Sequence, residues 1–117
     1  MLRGVRKPAT IKLSESDDGR TLEARPGQEI ELRLRENPTT GYRWRVVQEA
    51  EPVCQLLGTF FKAGTRPGEP GIHIRRYRVA GSGDAGLKLV YGRSWESAKT
   101  AARTFCLRVR SAASLPP

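Results

Sequence analysis

Apolar and charged residues alternate in three runs of this chain, at 29–35, 42–47 and 104–110. In the first run Ile30, Leu32 and Leu34 occupy every second position, and a charged residue follows each of them. Because successive side chains of a strand point to opposite faces, this pattern predicts β-strands with one buried and one solvated face. The sequence shows no helical period; only 98–102 is compatible with a single helical turn.

Glycine and proline clusters divide the chain into short extended segments. We predict strands at 9–13, 21–24, 29–35, 42–47, 54–61, 72–80, 87–91 and 104–110. Short strands with turn signals about every 8–12 residues predict an all-β fold, an immunoglobulin-like antiparallel β-sandwich of seven to eight strands. At 117 residues the chain is long enough for one domain, which we place at 9–110. We expect a flexible basic segment at 1–8 and a flexible tail at 111–117.

Three of the predicted connections are long, at 36–42, 62–71 and 92–102. They alternate along the chain with simpler turns at 24–28, 48–53 and 81–86. Successive antiparallel strands reverse direction, so alternate connections gather at the same end of a sandwich. We therefore expect the three long loops to form one binding surface on a rigid scaffold.

The net charge of +9 comes from 16 arginines and 5 lysines against 12 acidic residues. A basic surface attracts nucleic acid, anionic lipid or an acidic protein. Many of the arginines, however, alternate with apolar residues in strands: Arg33 and Arg35, Arg43 and Arg45, and Arg108 and Arg110. This placement favours a solvated sheet face over a nucleic-acid interface. No apolar run approaches the roughly 18 residues that a membrane span requires.

The start of the chain at 1–8 is basic and lacks the apolar core of a signal peptide. As given, the sequence predicts a cytoplasmic protein, or an exported one if a leader has been removed. The sequence leaves that choice open.

Catalytic residues are scarce in the sequence. His73 is the one histidine, and Cys54 and Cys106 match no metal-binding spacing. We predict two free thiols, with a single disulfide as the alternative, and expect Cys106 to point away from the core. The glycines at 81–86 fit the GxGxxG pattern, but a strand follows them where a dinucleotide site needs a helix, so we predict a hairpin turn. The sequence predicts no enzyme activity and neither cofactor nor metal.

The first long loop has the sequence Asn37-Pro38-Thr39-Thr40-Gly41-Tyr42. Pro38 fixes its own φ, and Gly41 can adopt positive φ where the chain reverses. Asn37 can brace the turn through its side chain, and the β-branched Thr39 and Thr40 are stiff. A two-residue hairpin needs nothing so elaborate, so the loop is a candidate binding element.

The two tryptophans lie in different environments. Trp44 alternates with Tyr42 and Val46 in a predicted strand, which indicates a core position. Trp95 lies in the third long loop between Ser94 and Glu96, where no periodicity predicts burial. An exposed aromatic of this kind is typical of a protein interface.

The loop at 37–42, with Trp44 two residues on, resembles the signature loop of the chagasin family of cysteine-peptidase inhibitors. The segment 87–96, which ends in Tyr91-Gly92-Arg93-Ser94-Trp95-Glu96, is similar to that family's strand and Tyr-x-Arg-Pro-Trp-Glu loop. The family's Gly-x-Gly-Gly loop corresponds to Gly68-Glu69-Pro70-Gly71. The resemblance covers about 9–110. Ser94 stands where the family has proline, and Pro70 where it has its middle glycine.

The resemblance implies an immunoglobulin-like inhibitor of papain-like cysteine peptidases that binds reversibly, as a monomer, and is not cleaved. Its three loops would wedge into the active-site cleft, with Thr39 and Thr40 nearest the catalytic thiol. Arg93, Ser94 and Trp95 would lie on one side of the cleft, and 68–71 on the other.

An alternative hypothesis keeps the sandwich but gives it another partner, an acidic protein or nucleic acid bound through arginine-rich faces. The inhibitor should depend on Thr39, Thr40 and Trp95, with little effect of salt. The charge-driven binder should weaken steeply with salt and depend on four strand arginines: Arg75, Arg76, Arg108 and Arg110. The sequence does not identify the target peptidase.

Overall fold

The computed structural model describes residues 10–112, which form eight strands in two four-stranded sheets. The strands are β1 (Thr10–Leu13), β2 (Arg20–Ala24), β3 (Glu29–Glu36), β4 (Arg43–Gln48), β5 (Cys54–Lys62), β6 (Gly71–Val79), β7 (Gly83–Gly92) and β8 (Arg103–Ser111). The first sheet has the order β1-β3-β6-β5, and the second β2-β8-β7-β4. An immunoglobulin-like β-sandwich was predicted, and the eight strands in two sheets confirm it.

The helical content of residues 10–112 consists of three short 3₁₀ turns, at Glu15–Asp17, Pro38–Thr40 and Ala98–Thr100. The last one matches the single turn expected at 98–102. Within this part of the chain no helix has the length and apolar character needed to cross a bilayer.

The core lies between the sheets and is built from the alternating apolar positions. Ile30, Leu32 and Leu34 of β3 are at most 1% exposed. Burial of each such side chain contributes about 1.5–3 kcal/mol. Every second residue of β8 faces them from the other sheet and is also buried, and Trp44 of β4 closes the same cluster. The prediction that Trp44 is a core residue is confirmed.

Successive strands reverse direction along the chain, as predicted, but two neighbouring pairs are parallel. β1 pairs with β3 and β2 pairs with β8 in parallel, whereas all other pairings are antiparallel. A strictly antiparallel sandwich was therefore wrong at these two edges. The reason is that the chain crosses to the other sheet after β1 and back again after β2, so β1 and β2 each lie beside a strand of their own direction. Turn signals locate reversals but do not identify neighbours.

The limits of most strands differ from the predictions by one residue or more. β4 begins at Arg43, so Tyr42 belongs to the preceding loop, and β6 covers Gly71–Val79. β7 begins at Gly83, which leaves a shorter hairpin turn than the predicted 81–86. β8 extends to Ser111, which is buried because it pairs with both Ala24 and Gly83. The predicted tail at 111–117 is therefore wrong at Ser111, while the expected flexible segments at 1–8 and 113–117 lie outside the described residues.

Both cysteines are free thiols. Cys54 is buried at the start of β5, and Cys106 is exposed on the outer side of β8. The prediction of two free thiols is confirmed, and the disulfide alternative is excluded.

Candidate functional site

The three long loops lie at one end of the sandwich, as the strand directions predicted. Glu36 at the end of β3 pairs with Gly71 at the start of β6, which places the first loop (37–42) beside the second (63–70). Arg43 at the start of β4 pairs with Gly92 at the end of β7, which places the first loop beside the third (93–102). The first loop crosses from one sheet to the other, while each of the other two joins neighbouring strands of a single sheet. We call these the central, second and third loops.

Asn37 organises the central loop. Its side-chain Oδ1 accepts hydrogen bonds from the backbone N–H (3.2 Å) and hydroxyl (2.6 Å) of Thr39. Its backbone carbonyl accepts hydrogen bonds from the backbone N–H (3.2 Å) and hydroxyl (2.7 Å) of Thr40. Gly41 then adopts a φ of +81°, a conformation that other residues rarely adopt. The bracing role predicted for Asn37 is confirmed, and it closes the loop into one tight turn.

The base of the central loop is held by Glu36, whose carboxylate is buried at 2% exposure. One carboxylate oxygen accepts the backbone N–H of Trp44 at 2.7 Å, on the far side of the loop. The other lies 3.4 Å from Nδ1 of His73 on β6. The Trp44 indole N–H donates to the Arg35 carbonyl at 2.8 Å. These bonds fix the distance between the two strands that carry the loop.

The second loop contains a tight turn at Arg66-Pro67-Gly68-Glu69, closed by a hydrogen bond from the Glu69 N–H to the Arg66 carbonyl (3.1 Å). Gly68 has a φ of +81°, which is the value that the third residue of a type II turn requires after proline. Gly71, which we predicted to lie in this loop, is the first residue of β6. A Cβ at Gly71 would collide with the Phe61 ring and the Lys62 carbonyl, so only glycine fits there.

The third loop turns at Arg93-Ser94-Trp95-Glu96, where the Glu96 N–H donates to the Arg93 carbonyl at 3.0 Å. The Glu96 carboxylate accepts the Arg93 N–H at 2.7 Å. From β4, the Arg45 guanidinium donates to the Glu96 carbonyl at 2.6 Å. Trp95 projects from this braced turn with 75% of its surface exposed. The predicted exposure of Trp95 is confirmed.

Aromatic and cationic side chains connect the central loop to the third loop. The Arg93 guanidinium lies 4.8 Å from the centre of the Tyr42 ring and 5.7 Å from that of Trp95. Tyr42 in turn meets Tyr91 edge-on at 5.6 Å, and the Tyr91 hydroxyl accepts the Asn37 N–H at 3.1 Å. The two loops therefore form one continuous surface.

Four residues that hold the site were not among the predicted site residues: Glu36, Arg45, Tyr91 and Glu96. Their contacts reach 8 to 54 residues along the chain, except for the local bond of Glu96 to Arg93. A glutamate directly before the central loop is the one signal in the sequence that could have suggested a brace there.

Cys54 lies at the start of β5, at the end of the fold opposite the three loops. The buried Cys54 has its pKa raised to about 11, first by burial and then by the nearby Glu49 carboxylate, so its thiol stays protonated at neutral pH. Among residues 10–112, no group of three or more His, Cys, Asp or Glu side chains is placed to hold a metal ion.

The four arginines of the alternative hypothesis each have a carboxylate partner. The pairs are Arg75 with Glu49 (2.8 Å), Arg76 with Glu31 (2.9 Å), Arg108 with Asp84 (4.0 Å) and Arg110 with Asp84 (3.5 Å). Arg75 is buried and therefore not accessible to a partner, whereas Arg108 and Arg110 share one carboxylate and stay exposed.

Residues 23–109 match the family model described as chagasin family peptidase inhibitor I42. The chain belongs to the chagasin family of cysteine-peptidase inhibitors. This membership makes it an inhibitor and not an enzyme, as predicted, and favours the inhibitor hypothesis over the alternative binding module.

Proteins of known sequence or structure match most of the chain. Amoebiasin-2 of Entamoeba histolytica is 31% identical over 101 residues, which are 83% of this chain and 81% of that protein. The crystal structure of EhICP2, a cysteine protease inhibitor from the same organism, superposes with a TM-score of 0.82 at 28% identity, covering 92% of this chain and all of that one. The solution structure of Amebosin gives a TM-score of 0.71 at 28% identity, over 89% of this chain and 99% of that one.

Proposed function

We propose that this chagasin-family chain inhibits papain-like cysteine peptidases reversibly by inserting the ends of its three loops into the active-site cleft. The observation that carries the proposal is the central loop, closed on itself by Asn37 and flanked on both sides by braced turns at the same end of the fold. EhICP2, a cysteine protease inhibitor, has the same fold across its whole length.

In this proposal Thr39 and Thr40 lie nearest the catalytic thiol of the peptidase. Both residues are exposed, and both hydroxyls are already hydrogen-bonded to Asn37. Partner contact therefore falls on the threonine methyl groups and the backbone, which bury without leaving a hydroxyl unpaired. Tyr42 supports this turn through its contacts with Arg93 and Tyr91.

The flanking loops have different roles. Trp95, presented by Arg93 and Ser94, supplies the large exposed aromatic that anchors many interfaces. The second loop, with Gly68, Glu69 and Pro70, borders the cleft on the opposite side and ends at Gly71. Because these turns exist before binding, the complex loses little conformational entropy, and an interface of roughly 800 Å² per partner can reach nanomolar affinity.

The test is titration of the purified protein against papain, with hydrolysis of a fluorogenic peptide as the signal. We expect tight inhibition by the natural sequence and a loss of at least about a hundredfold in affinity for the double variant Thr40→Ala, Trp95→Ala. Circular dichroism and the melting temperature establish that the variant is folded.

A matched control removes a threonine and an aromatic ring elsewhere. Thr59→Ala with Phe60→Ala changes two exposed residues of β5, outside the three loops, and should inhibit as the natural sequence does. Absence of inhibition across several papain-like peptidases at micromolar concentrations of the natural protein would refute the proposal.

A further inference from the structure

The three long loops are basic. The three loops with their flanking strand residues (35–43, 62–71 and 92–103) contain seven Lys or Arg and three Glu. The turns at the opposite end (25–28, 49–53 and 80–82) contain one arginine and two glutamates. The β1–β2 connection at the same end as the loops (14–19) contains three carboxylates and no cation, so the excess of positive charge belongs to the three loops proposed to contact the peptidase and not to that end as a whole.

Among the residues that the structure describes, the carboxylates of the three loops form no ion pair with these cations. Glu36 is buried beneath the central loop, Glu69 accepts the Thr65 N–H, and Glu96 accepts the Arg93 N–H. Arg103 is paired with Glu15 at 2.8 Å, on the connection between β1 and β2.

Six cations remain exposed and form no ion pair within residues 10–112: Arg35, Arg43, Lys62, Arg66, Arg93 and Lys99. Two flank the central loop, two belong to the second loop or its border, and two belong to the third. The central loop itself (37–42) carries no charged residue. An uncharged centre with a charged rim is the common anatomy of a protein interface.

We propose that these six cations form an electrostatic docking rim that selects papain-like peptidases with Asp and Glu residues around the active-site cleft and accelerates association with them. The inference rests on the proposed function. Rim charges act mainly on the association rate constant and its salt dependence, while the buried centre sets the dissociation rate. From the sequence, inhibition was expected to depend weakly on salt. The docking rim instead predicts a strong salt dependence of the association rate constant.

The experiment measures association and dissociation rate constants by stopped flow against a papain-like peptidase with an acidic cleft rim. The rim variant carries the three substitutions Lys62→Gln, Arg66→Gln and Lys99→Gln, which remove three rim charges outside the direct contacts proposed above. The control variant carries Lys12→Gln, Arg25→Gln and Arg78→Gln, which remove three exposed charges outside the rim, so that both variants have the same net charge.

For the natural sequence, we expect the association rate constant to fall at least about tenfold as ionic strength rises from 0.01 to 0.15 M, because the Debye length shrinks from about 30 to about 8 Å. The rim variant should associate about tenfold more slowly at low salt and show a flatter salt dependence, with its dissociation rate within about twofold. The control variant should keep most of the association rate at low salt and most of the salt dependence of the natural sequence. Against the same peptidase with its rim carboxylates changed to amides, the rim variant should lose nothing further.

Equal slowing by both triple variants, or an effect confined to dissociation, would overturn the docking rim while leaving the inhibitor intact. Failure of the natural protein to inhibit would instead overturn the proposed function on which the rim depends. The two failures are therefore distinguishable in one set of measurements.

Discussion

Asn37 accepts four hydrogen bonds, two at its side-chain oxygen and two at its backbone carbonyl. All four come from Thr39 and Thr40, the residues that we place against the peptidase. Since the donors are the backbone and the hydroxyl groups of those threonines, one residue fixes the shape of the contact turn, with its side chain holding Thr39 and its backbone carbonyl holding Thr40. Asn37 is therefore a positioning residue.

We predict that Asn37→Ala weakens inhibition and that Asn37→Asp largely retains it. Alanine removes both bonds at Oδ1, a loss of about 1–3 kcal/mol for two hydrogen bonds, or roughly 5- to 150-fold in the inhibition constant. Aspartate keeps an oxygen acceptor at the same place. The measurement is the inhibition constant of each variant, with the melting temperature as a check on folding.

Equal loss in both variants would show that the amide group, and not the oxygen acceptor, is what the loop needs. An unchanged constant in Asn37→Ala would show that the turn holds its shape without this side chain.

At the scale of elements, the turn of the third loop is held at both of its ends. One of its residues, Ser94, can be replaced to make the turn more rigid. Ser94 is the second residue of a turn closed by Glu96 and Arg93, a position where proline is favoured in type I and type II turns. The Ser94 N–H donates no hydrogen bond among the described contacts, so proline would remove none of them.

We predict that Ser94→Pro tightens binding about two- to fivefold. Restricting the unbound loop corresponds to about 0.4–1 kcal/mol, which lowers the cost of presenting Trp95. Ser94→Ala, which leaves φ free, is the control and should bind as the natural sequence does. Weaker binding by the proline variant would show that the natural turn adopts a φ that proline cannot.

The sequence predicted where the strands lie better than it predicted which strands are adjacent in each sheet. The alternation of Ile30, Leu32 and Leu34 with charged residues indicates which face of β3 is buried. The alternating strand directions were sufficient to predict that the three loops lie at one end. The parallel pairing of β1 with β3 and of β2 with β8 was missed because it depends on which sheet each strand joins.

Long-range side-chain contacts limited the prediction of the site in the same way. The Asn37 brace is local and could be predicted, whereas the Glu36 contacts with Trp44 and His73 depend on packing across strands. The turn at 66–69 has a local signal in Pro67-Gly68, whereas the family resemblance predicted the loop motif at 68–71.

At the scale of the whole molecule, one ion pair joins the sheets away from the loops. Glu49, just after β4 of the second sheet, contacts the Arg75 guanidinium at 2.8 Å and accepts the Tyr77 hydroxyl at 3.0 Å, both on β6 of the first sheet. The Arg75 Nε–H also donates to the Tyr77 hydroxyl at 2.8 Å. Arg75 is buried, and the Glu49 carboxylate is its ion-pair partner.

We predict that Glu49→Ala lowers the free energy of unfolding by about 2 kcal/mol, because it leaves a buried guanidinium without its partner. Glu51→Ala removes the same charge from an exposed residue two positions away and should change stability by less than about 0.5 kcal/mol. Denaturant unfolding measures both. Equal stability of the two variants would contradict the role of the pair, and inhibition should persist in each variant while it is folded.

The routes of the three loops have a consequence for how such an inhibitor can diversify. The central loop bridges the two packed sheets, and Asn37 closes it into one tight turn, so an insertion there would break the hydrogen bonds that shape the contact residues. The second and third loops each return to a neighbouring strand, and doubling the length of such a loop costs only about 0.6 kcal/mol. Insertions and exchanges are therefore tolerated in the two flanking loops and not in the central one. The central loop therefore stays constant while the second and third loops can be exchanged. New target peptidases can be reached by exchanging these two loops and keeping the central one.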